Sequence, residues 1–297
     1  MRVTQNMLSS TILKNISSSY DRMAKYQTQL SSGKLFNRPS DNPVAINQAL
    51  ATRVSIKETQ QYINNVDDGL TWLSMADVAL RNATELMYRA KELAVMGANS
   101  TNSQSELDKI ANEVDQLLSE MVVIGNTSLA GRSIFAGHKT TTPAFIQVGL
   151  PVPSVTYNGD AGVINYEIER GVNAAVNLNG DTIFQGGADV FQVLIDLSAH
   201  LRAGDYAAVS GDTSLVDDSL ETITDSLAIV GAKINRMDFV KDRHSQDVLS
   251  LTEILSNIED ADLAEVIMKL KSEENVYQAA LTSGSMSIQK SLIDFLR

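Results

Sequence analysis

Along the C-terminal third of the chain, apolar residues recur in steps of three and four. The series is Leu220, Ile223, Leu227, Val230, Ile234, Met237, Lys241, His244, Val248, Leu251, Leu255 and Ile258, and only Lys241 and His244 are not apolar. This is the 3.5-residue period of a coiled coil. A helix from about 205 to 258 would span on the order of 80 Å at about 1.5 Å per residue. Nothing that long folds around one compact core, so it needs partner helices. After a slip at Glu259-Asp260-Ala261-Asp262 the series resumes as Leu263, Ile267, Leu270, Glu274, Tyr277, Leu281, Gly284, Ile288, Ser291 and Phe295.

Composition excludes several kinds of protein. The chain has no cysteine, which removes disulfide scaffolds, thiolate metal sites and cysteine nucleophiles. Its net charge of -12 argues against a nucleic-acid partner, because phosphates need basic residues to neutralise them. Aromatics are 5% of residues, which is poor for a thick globular core and ordinary for aliphatic helix seams. No apolar run reaches the roughly 18 residues of a membrane span. The opening Met1-Arg-Val-Thr-Gln-Asn-Met7 is polar, so no signal peptide is expected.

The five prolines fall in two places, Pro39 and Pro43, then Pro143, Pro151 and Pro153. Proline interrupts helices, so these clusters mark where helical segments stop. From Val3 to Ser32 a weak seam of Ile12, Ile16, Ser19, Met23, Tyr26 and Leu30 predicts a helix. So little apolar surface is marginal alone in water, so the helix is expected to order only against partners. A linker with Arg38, Pro39, Asn42 and Pro43 follows, and Asn42 before Pro43 is a good helix start. The next helix, to about Ala98, carries Leu70, Leu73, Leu80, Met87 and Ala94 on its seam, with Asp77, Thr84 and Lys91 between them. A third carries Leu107, Ile110, Val114, Leu117, Met121 and Ile124 and stops at Gly125.

Between about 134 and 184 the period changes. Ser154–Tyr157 and Val163–Glu169 read as two strands around the Asn158-Gly159 turn. Ala174–Leu178 and Thr182–Phe184 flank a second turn at Asn179-Gly180-Asp181. A helical piece near 190–201 leads back to the long helices. The predicted fold is mainly α: an elongated antiparallel coiled-coil rod, both termini at one end, with a small β-rich head at the other. The expected divisions are 1–42 (terminal helix and linker), 43–133 (rod helices), 134–204 (head with a short helix), 205–258 (long rod helix) and 259–297 (terminal helix). The head is expected to fold separately, so that 144–186 could be replaced by a short turn. Residues 1–40 hold six basic residues against one acidic, and 250–297 hold four against eight, so the two ends attract weakly.

Chemical motifs are thin. His138, His200 and His244 lack metal-ligand spacing. Gly131–Thr140 has one residue too many between its glycines for a phosphate loop, and a histidine where lysine belongs. Glu259, Asp260, Asp262 and Glu265 read as a solvated break, with acid near the start of the last helix where its dipole favours it. Asn158-Gly159-Asp160 lacks the spacing of a calcium loop. No catalytic residue, cofactor or metal is assigned, and an enzyme is not expected.

Several segments resemble bacterial flagellins. These are Met1–Met7, Gln29-Leu-Ser-Ser-Gly-Lys34, Asn37-Arg-Pro-Ser-Asp-Asn-Pro-Val44, Asp68-Gly-Leu70, Asn126-Thr127 and Phe135-Ala-Gly137. Gly231-Ala-Lys-Ile-Asn-Arg236 and Ile258-Glu-Asp-Ala-Asp-Leu-Ala-Glu265 are similar to the flagellin C-terminal signature. The linker with its second proline, Tyr157-Asn-Gly-Asp160 and Ser291-Leu-Ile-Asp-Phe-Leu296 resemble the family's hook-associated group at the hook–filament junction.

The resemblance implies a structural subunit of the bacterial flagellum: secreted, extracellular, self-assembling into a helical homo-oligomer and serving motility. Its implied partners are the preceding hook-associated protein, flagellin, a cytoplasmic export chaperone and the flagellar type III export apparatus. Nucleic acid and membrane insertion are not implied. The assembly contacts are expected on the terminal helices, at Ile12, Ile16, Met23, Tyr26, Leu30, Leu263, Ile267, Leu270, Tyr277, Leu281, Gly284, Ile288 and Phe295. The alternatives are flagellin itself, the bulk filament subunit, and, in another class, a cytoplasmic coiled-coil signalling module.

Overall fold

The structure is a computed structural model that describes residues 5–149 and 154–295, with side chains at residues 7, 9–149 and 154–286. Pro151, Pro153 and the Met1–Thr4 part of the opening motif lie outside the described residues, as do the side chains of Ile288, Ser291 and Phe295. The chain is mainly helical. In order come α1 (Gln5–Ser32), α2 (Pro43–Gly97), α3 (Gln104–Gly125), strands β1 (Ser128–Leu129), β2 (Arg132–Ser133), β3 (Phe145–Val148), β4 (Ser154–Tyr157), β5 (Asn165–Glu169) and β6 (Val172–Ala175), then α4 (Gly180–Phe184), α5 (Val190–Ala203), α6 (Tyr206–Glu259) and α7 (Leu263–Phe295). Among the described residues no helix is long and apolar enough to cross a membrane. Two compact units result, Met1–Glu58 with Asp247–Arg297, and Thr59–Gln246.

The Thr59–Gln246 unit is built on heptad spacing. Leu73, Leu80 and Met87 of α2 are fully buried, and so are Ala76, Ala83 and Ala90 three residues after each. On α6 the residues at every seventh position, Val209, Val216, Ile223, Val230 and Met237, are buried in turn. Leu107, Val114 and Met121 do the same on α3. Alternating large and small residues let neighbouring helices interlock. Each such aliphatic side chain contributes about 1.5–3 kcal/mol by leaving water. Lys241 and His244, the interruptions in the α6 seam, are both engaged: Lys241 Nζ pairs with Asp67 at 2.7 Å, and His244 Nε2 lies 2.7 Å from the Ile168 carbonyl oxygen.

Three antiparallel two-stranded ladders form the head, β1–β2, β3–β4 and β5–β6. The strand pairing expected across Asn158-Gly159 does not occur. β4 turns back onto β3, with Phe145 opposite Tyr157 and Val148 opposite Ser154. β5 pairs with β6 across the Arg170-Gly171 turn, where Gly171 takes φ of 74°. That left-handed conformation favours glycine. Thr182–Phe184 is helical rather than extended, because Asn179 Oδ1 accepts the Asp181 amide at 3.1 Å and starts α4. Gly125 is the last residue of α3, and its role is close packing: a β-carbon there would stand 2.7 Å from the Phe145 ring.

The head shares its core with the helices beside it. Phe145 packs on Phe191 of α5 with ring centroids 4.8 Å apart, and on Phe184 at 5.4 Å. Phe135 meets Phe184 edge-on at 5.4 Å. These rings, with Ile168, Val176 and Ile183, belong to the same buried core as the helix seams. Tyr157 closes the cluster, its hydroxyl 2.8 Å from the Phe135 carbonyl oxygen. Burial pushes that phenol up to about 12.

Candidate assembly surface

The unit made of both chain ends is organised by an antiparallel pair of helices. α1 presents Ile12, Ile16, Ser19, Met23, Tyr26 and Leu30 as one half-buried to buried stripe, as the spacing predicts. On α7 the most covered stripe is Val266, Leu270, Glu273, Tyr277, Ala280 and Gly284. A β-carbon on Gly284 would stand 3.1 Å from Ile12 Cγ2 and 3.7 Å from Ile16 Cδ1. Tyr20 and Tyr277 approach at 6.2 Å between ring centroids. Ser19 is buried and donates to Glu273 Oε2 at 2.8 Å, and Arg22 Nε donates to Glu273 Oε1 at 2.8 Å. The hydrogen bonds from Arg22 and Ser19 hold the Glu273 carboxyl below its ordinary range.

The terminal helices pack on each other within the chain, in the sense that the opposite charges of the two ends predict. The covered stripe of α7 lies beside the predicted one: Leu270, Tyr277 and Gly284 are shared, whereas Leu263, Ile267 and Leu281 are 47%, 46% and 44% exposed. The α7 apolar surface is wider than one partner helix covers.

Four of the uncovered residues share one side. Leu13 and Tyr20 follow Ile12 and Ser19 by one position; Ile267 and Leu281 follow Val266 and Ala280 by one. One position is about 100° of rotation on an α-helix. In an antiparallel pair the same rotation on both helices points to the same side. Leu13 and Tyr20, 63% and 55% exposed, therefore share a side with Ile267 and Leu281.

Where α1 ends and where α6 gives way to α7, the two breaks are tied together. Leu35 N donates to Glu259 O at 2.8 Å and Ala261 N to Gly33 O at 2.9 Å, around a bridge between Lys34 and Asp260. Glu259 is buried, not solvated as its acidic neighbourhood predicts. Its carboxylate accepts from Arg53 Nη2 at 2.5 Å and pairs with Lys34 Nζ. Burial pushes the Glu259 carboxyl up, but the hydrogen bonds from Arg53 and Lys34 outweigh it and hold the group below its ordinary range. The sequence hides this node because Glu259 stands more than 200 positions from Lys34 and Arg53. The one available signal was Glu259 next to Ile258, on the seam's own edge.

The linker is a compact turn. Asp41 Oδ2 accepts from the Asn37 and Arg38 amides at 3.2 and 3.1 Å, which hold its carboxyl below the ordinary range. Arg38 lines a polar cleft of about 370 Å³ with Asp21, Lys25 and Asp41. Asn42 Oδ1 accepts the Ala45 amide at 3.1 Å, and Pro43 is the first residue of α2, as Asn-Pro predicts. No group of His, Asp and Glu suited to a metal ion occurs among the described residues. In the Gly131–Thr140 segment the His138 amide donates to Asp160 Oδ1 at 2.7 Å, so a carboxylate sits where a phosphate loop would hold its anion.

Residues 3–140 match the bacterial flagellin N-terminal helical region. The chain is similar over nearly its whole length to flagellar hook-associated protein 3 of Escherichia coli, with 24% identity over 94% of this chain and 95% of that protein. Phase 2 flagellin of Salmonella typhimurium is 31% identical over 70% of this chain, but the match covers 39% of that flagellin. Among solved structures, FlgL of Bacillus cereus shares the fold with a TM-score of 0.61 and 24% identity, covering 69% of this chain and 99% of that one. The flagellar junction protein FlgL of Legionella pneumophila gives a TM-score of 0.60 at 15% identity, covering 72% and 100%.

Proposed function

We propose that this protein is a structural subunit of the bacterial flagellum that joins a hook-associated protein to the flagellin filament by self-assembly. The observation that carries the reading is the open apolar side of the α1–α7 pair. One side of each helix is closed within the chain, while Leu13, Tyr20, Ile267 and Leu281 stay exposed beside it. Aliphatic and aromatic surface concentrated at the chain ends is what a subunit needs to pack its ends against further copies. Similarity to hook-associated protein 3 along 94% of the chain, against a match covering 39% of a flagellin, favours the adapter over the bulk filament subunit.

On this reading the assembly contacts are the exposed Leu263, Ile267 and Leu281 of α7 with Leu13 and Tyr20 of α1. Ile12, Ile16, Met23 and Leu30 act indirectly, by holding α1 on α7. The subunit leaves the cell through the flagellar type III export apparatus with a cytoplasmic chaperone. It acts mechanically, without catalysis. Antibody labelling of sheared flagella tests the position. The adapter gives a single label at the proximal end of each filament; label along the filament's length would make the protein a flagellin.

A further inference from the structure

The chain contains two Asn-Gly pairs, Asn158-Gly159 and Asn179-Gly180. Such pairs are chemically labile when the glycine amide nitrogen is free to reach the asparagine side chain. The structure treats the two in opposite ways. At the second, Gly180 is buried and its N–H donates to the Phe135 carbonyl at 3.0 Å. Asn179 Oδ1 is held by the Asp181 amide at 3.1 Å. At the first, the Asn158 main-chain amide is anchored to Ala144 O at 2.8 Å, but neither the Asn158 side-chain amide nor the Gly159 N–H makes a hydrogen bond among the described residues. Lys139 Nζ lies 3.4 Å from the carbonyl oxygens of both Asn158 and Gly159.

We infer that Asn158 is a site of spontaneous deamidation and that Asn179 is protected from it. Hydroxide removes the Gly159 N–H proton, and the nitrogen attacks Asn158 Cγ. Ammonia leaves, and a five-membered succinimide closes between residues 158 and 159. Water then opens it at either carbonyl, giving aspartate or isoaspartate at 158. Nothing is oxidised or reduced, and water is the only co-reactant. The Lys139 ammonium favours the first step by stabilising negative charge on the adjoining peptide groups. A glycine stands at 159 for steric reasons: a β-carbon there would lie 2.3 Å from the Tyr157 ring and hydroxyl. The lability comes with that close approach. The product places a new carboxylate beside Lys139 and Asp160, in the turn that holds the His138 and Gly162 amides.

Folded, full-length protein is aged at mildly alkaline pH in heavy-oxygen water, then digested and mapped by mass spectrometry, with isoaspartate counted by methyltransferase labelling. The two hydrogen bonds that must open at Asn179 predict that Asn158 reacts about tenfold faster or more. Chain aged in denaturant should react at comparable rates at both sites, because neither is then held. Asn158→Gln, which keeps the turn glycine, should remove the fast isoaspartate signal from the folded protein. Equal rates at the two sites in the folded chain, or fast isoaspartate that persists in Asn158→Gln, would overturn the assignment.

Discussion

Gly284 of α7 lies against Ile12 of α1, where a β-carbon would stand 3.1 Å from Ile12 Cγ2. Alanine asks the isoleucine to give by a few tenths of an ångström and returns about 1 kcal/mol of helix propensity. Gly284→Ala should therefore leave the pair near its original stability. Gly284→Leu overpacks the contact at a cost of about 1–3 kcal/mol. Hydrogen exchange across α1 and α7 checks this: leucine should speed exchange in both helices and reduce swimming, and alanine should do neither.

Glu259 ties Lys34 and Arg53 to the end of α6. Replacing it with glutamine leaves two cations without their carboxylate. With both partners half-exposed, the expected loss is about 1–3 kcal/mol. Faster exchange should appear at the α1 end and at the α6–α7 break, while α3 and α5 stay unchanged.

The same residue sets an acid dependence. Its folded carboxyl titrates below the unfolded one, so its stabilisation is complete above the ordinary glutamate range of about 4.3 and is lost as pH falls through the lower folded value. Glu273 behaves in the same sense. Proteolytic nicking of the chain ends should rise as pH drops into the acid range. In a Glu259→Gln, Glu273→Gln double variant the ends should be susceptible already near neutrality, with a much smaller further rise in acid.

His200 gives the opposite slope. Its ring donates to the buried Asp212 at 2.7 Å, and that hydrogen bond raises its proton affinity, with Asp196 and Asp205 adding to it. The stabilisation is complete below the unfolded value near 6.5 and is lost as pH rises through the higher folded value. Thermal melting of the protein should weaken between neutral and mildly alkaline pH, and His200→Gln should remove most of that change.

Exchanging residues 144–186 for a short turn should destabilise the Thr59–Gln246 unit, because the head shares its core. Their removal takes Phe145 and Phe184 out of a core they share with Phe191, and large-to-small changes at such positions cost about 3–5 kcal/mol each. That is comparable with the typical ~5–15 kcal/mol stability of a whole domain. Circular dichroism of the deletion should show a poorly cooperative melt. Replacing only Arg170-Gly171 with Asn-Gly should leave the melt intact.

Periodicity made the long helices legible, because a heptad seam is a local signal repeated many times. Each of the twelve positions from Leu220 to Ile258 is at least half-buried. The α7 stripe was legible only to within one residue. Its apolar positions spread over two adjacent stripes, Val266 and Ala280 on one and Ile267 and Leu281 on the next, and sequence does not say which faces α1. Strand partners were misread because a local Asn-Gly signal outweighed Arg170-Gly171, the pair that makes the β5–β6 turn. The Lys34–Glu259–Arg53 node left no periodic trace, since a single charge pairs by position in space.

The most direct test of the adapter reading is a strain from which this gene alone is removed, scored by the ratio of cell-attached to supernatant flagellin. The account predicts intact hooks and flagellin lost to the medium, with attachment restored by the wild-type gene and not by a variant carrying lysine at Ile267 and Leu281. Full-length attached filaments in the deletion strain would contradict it.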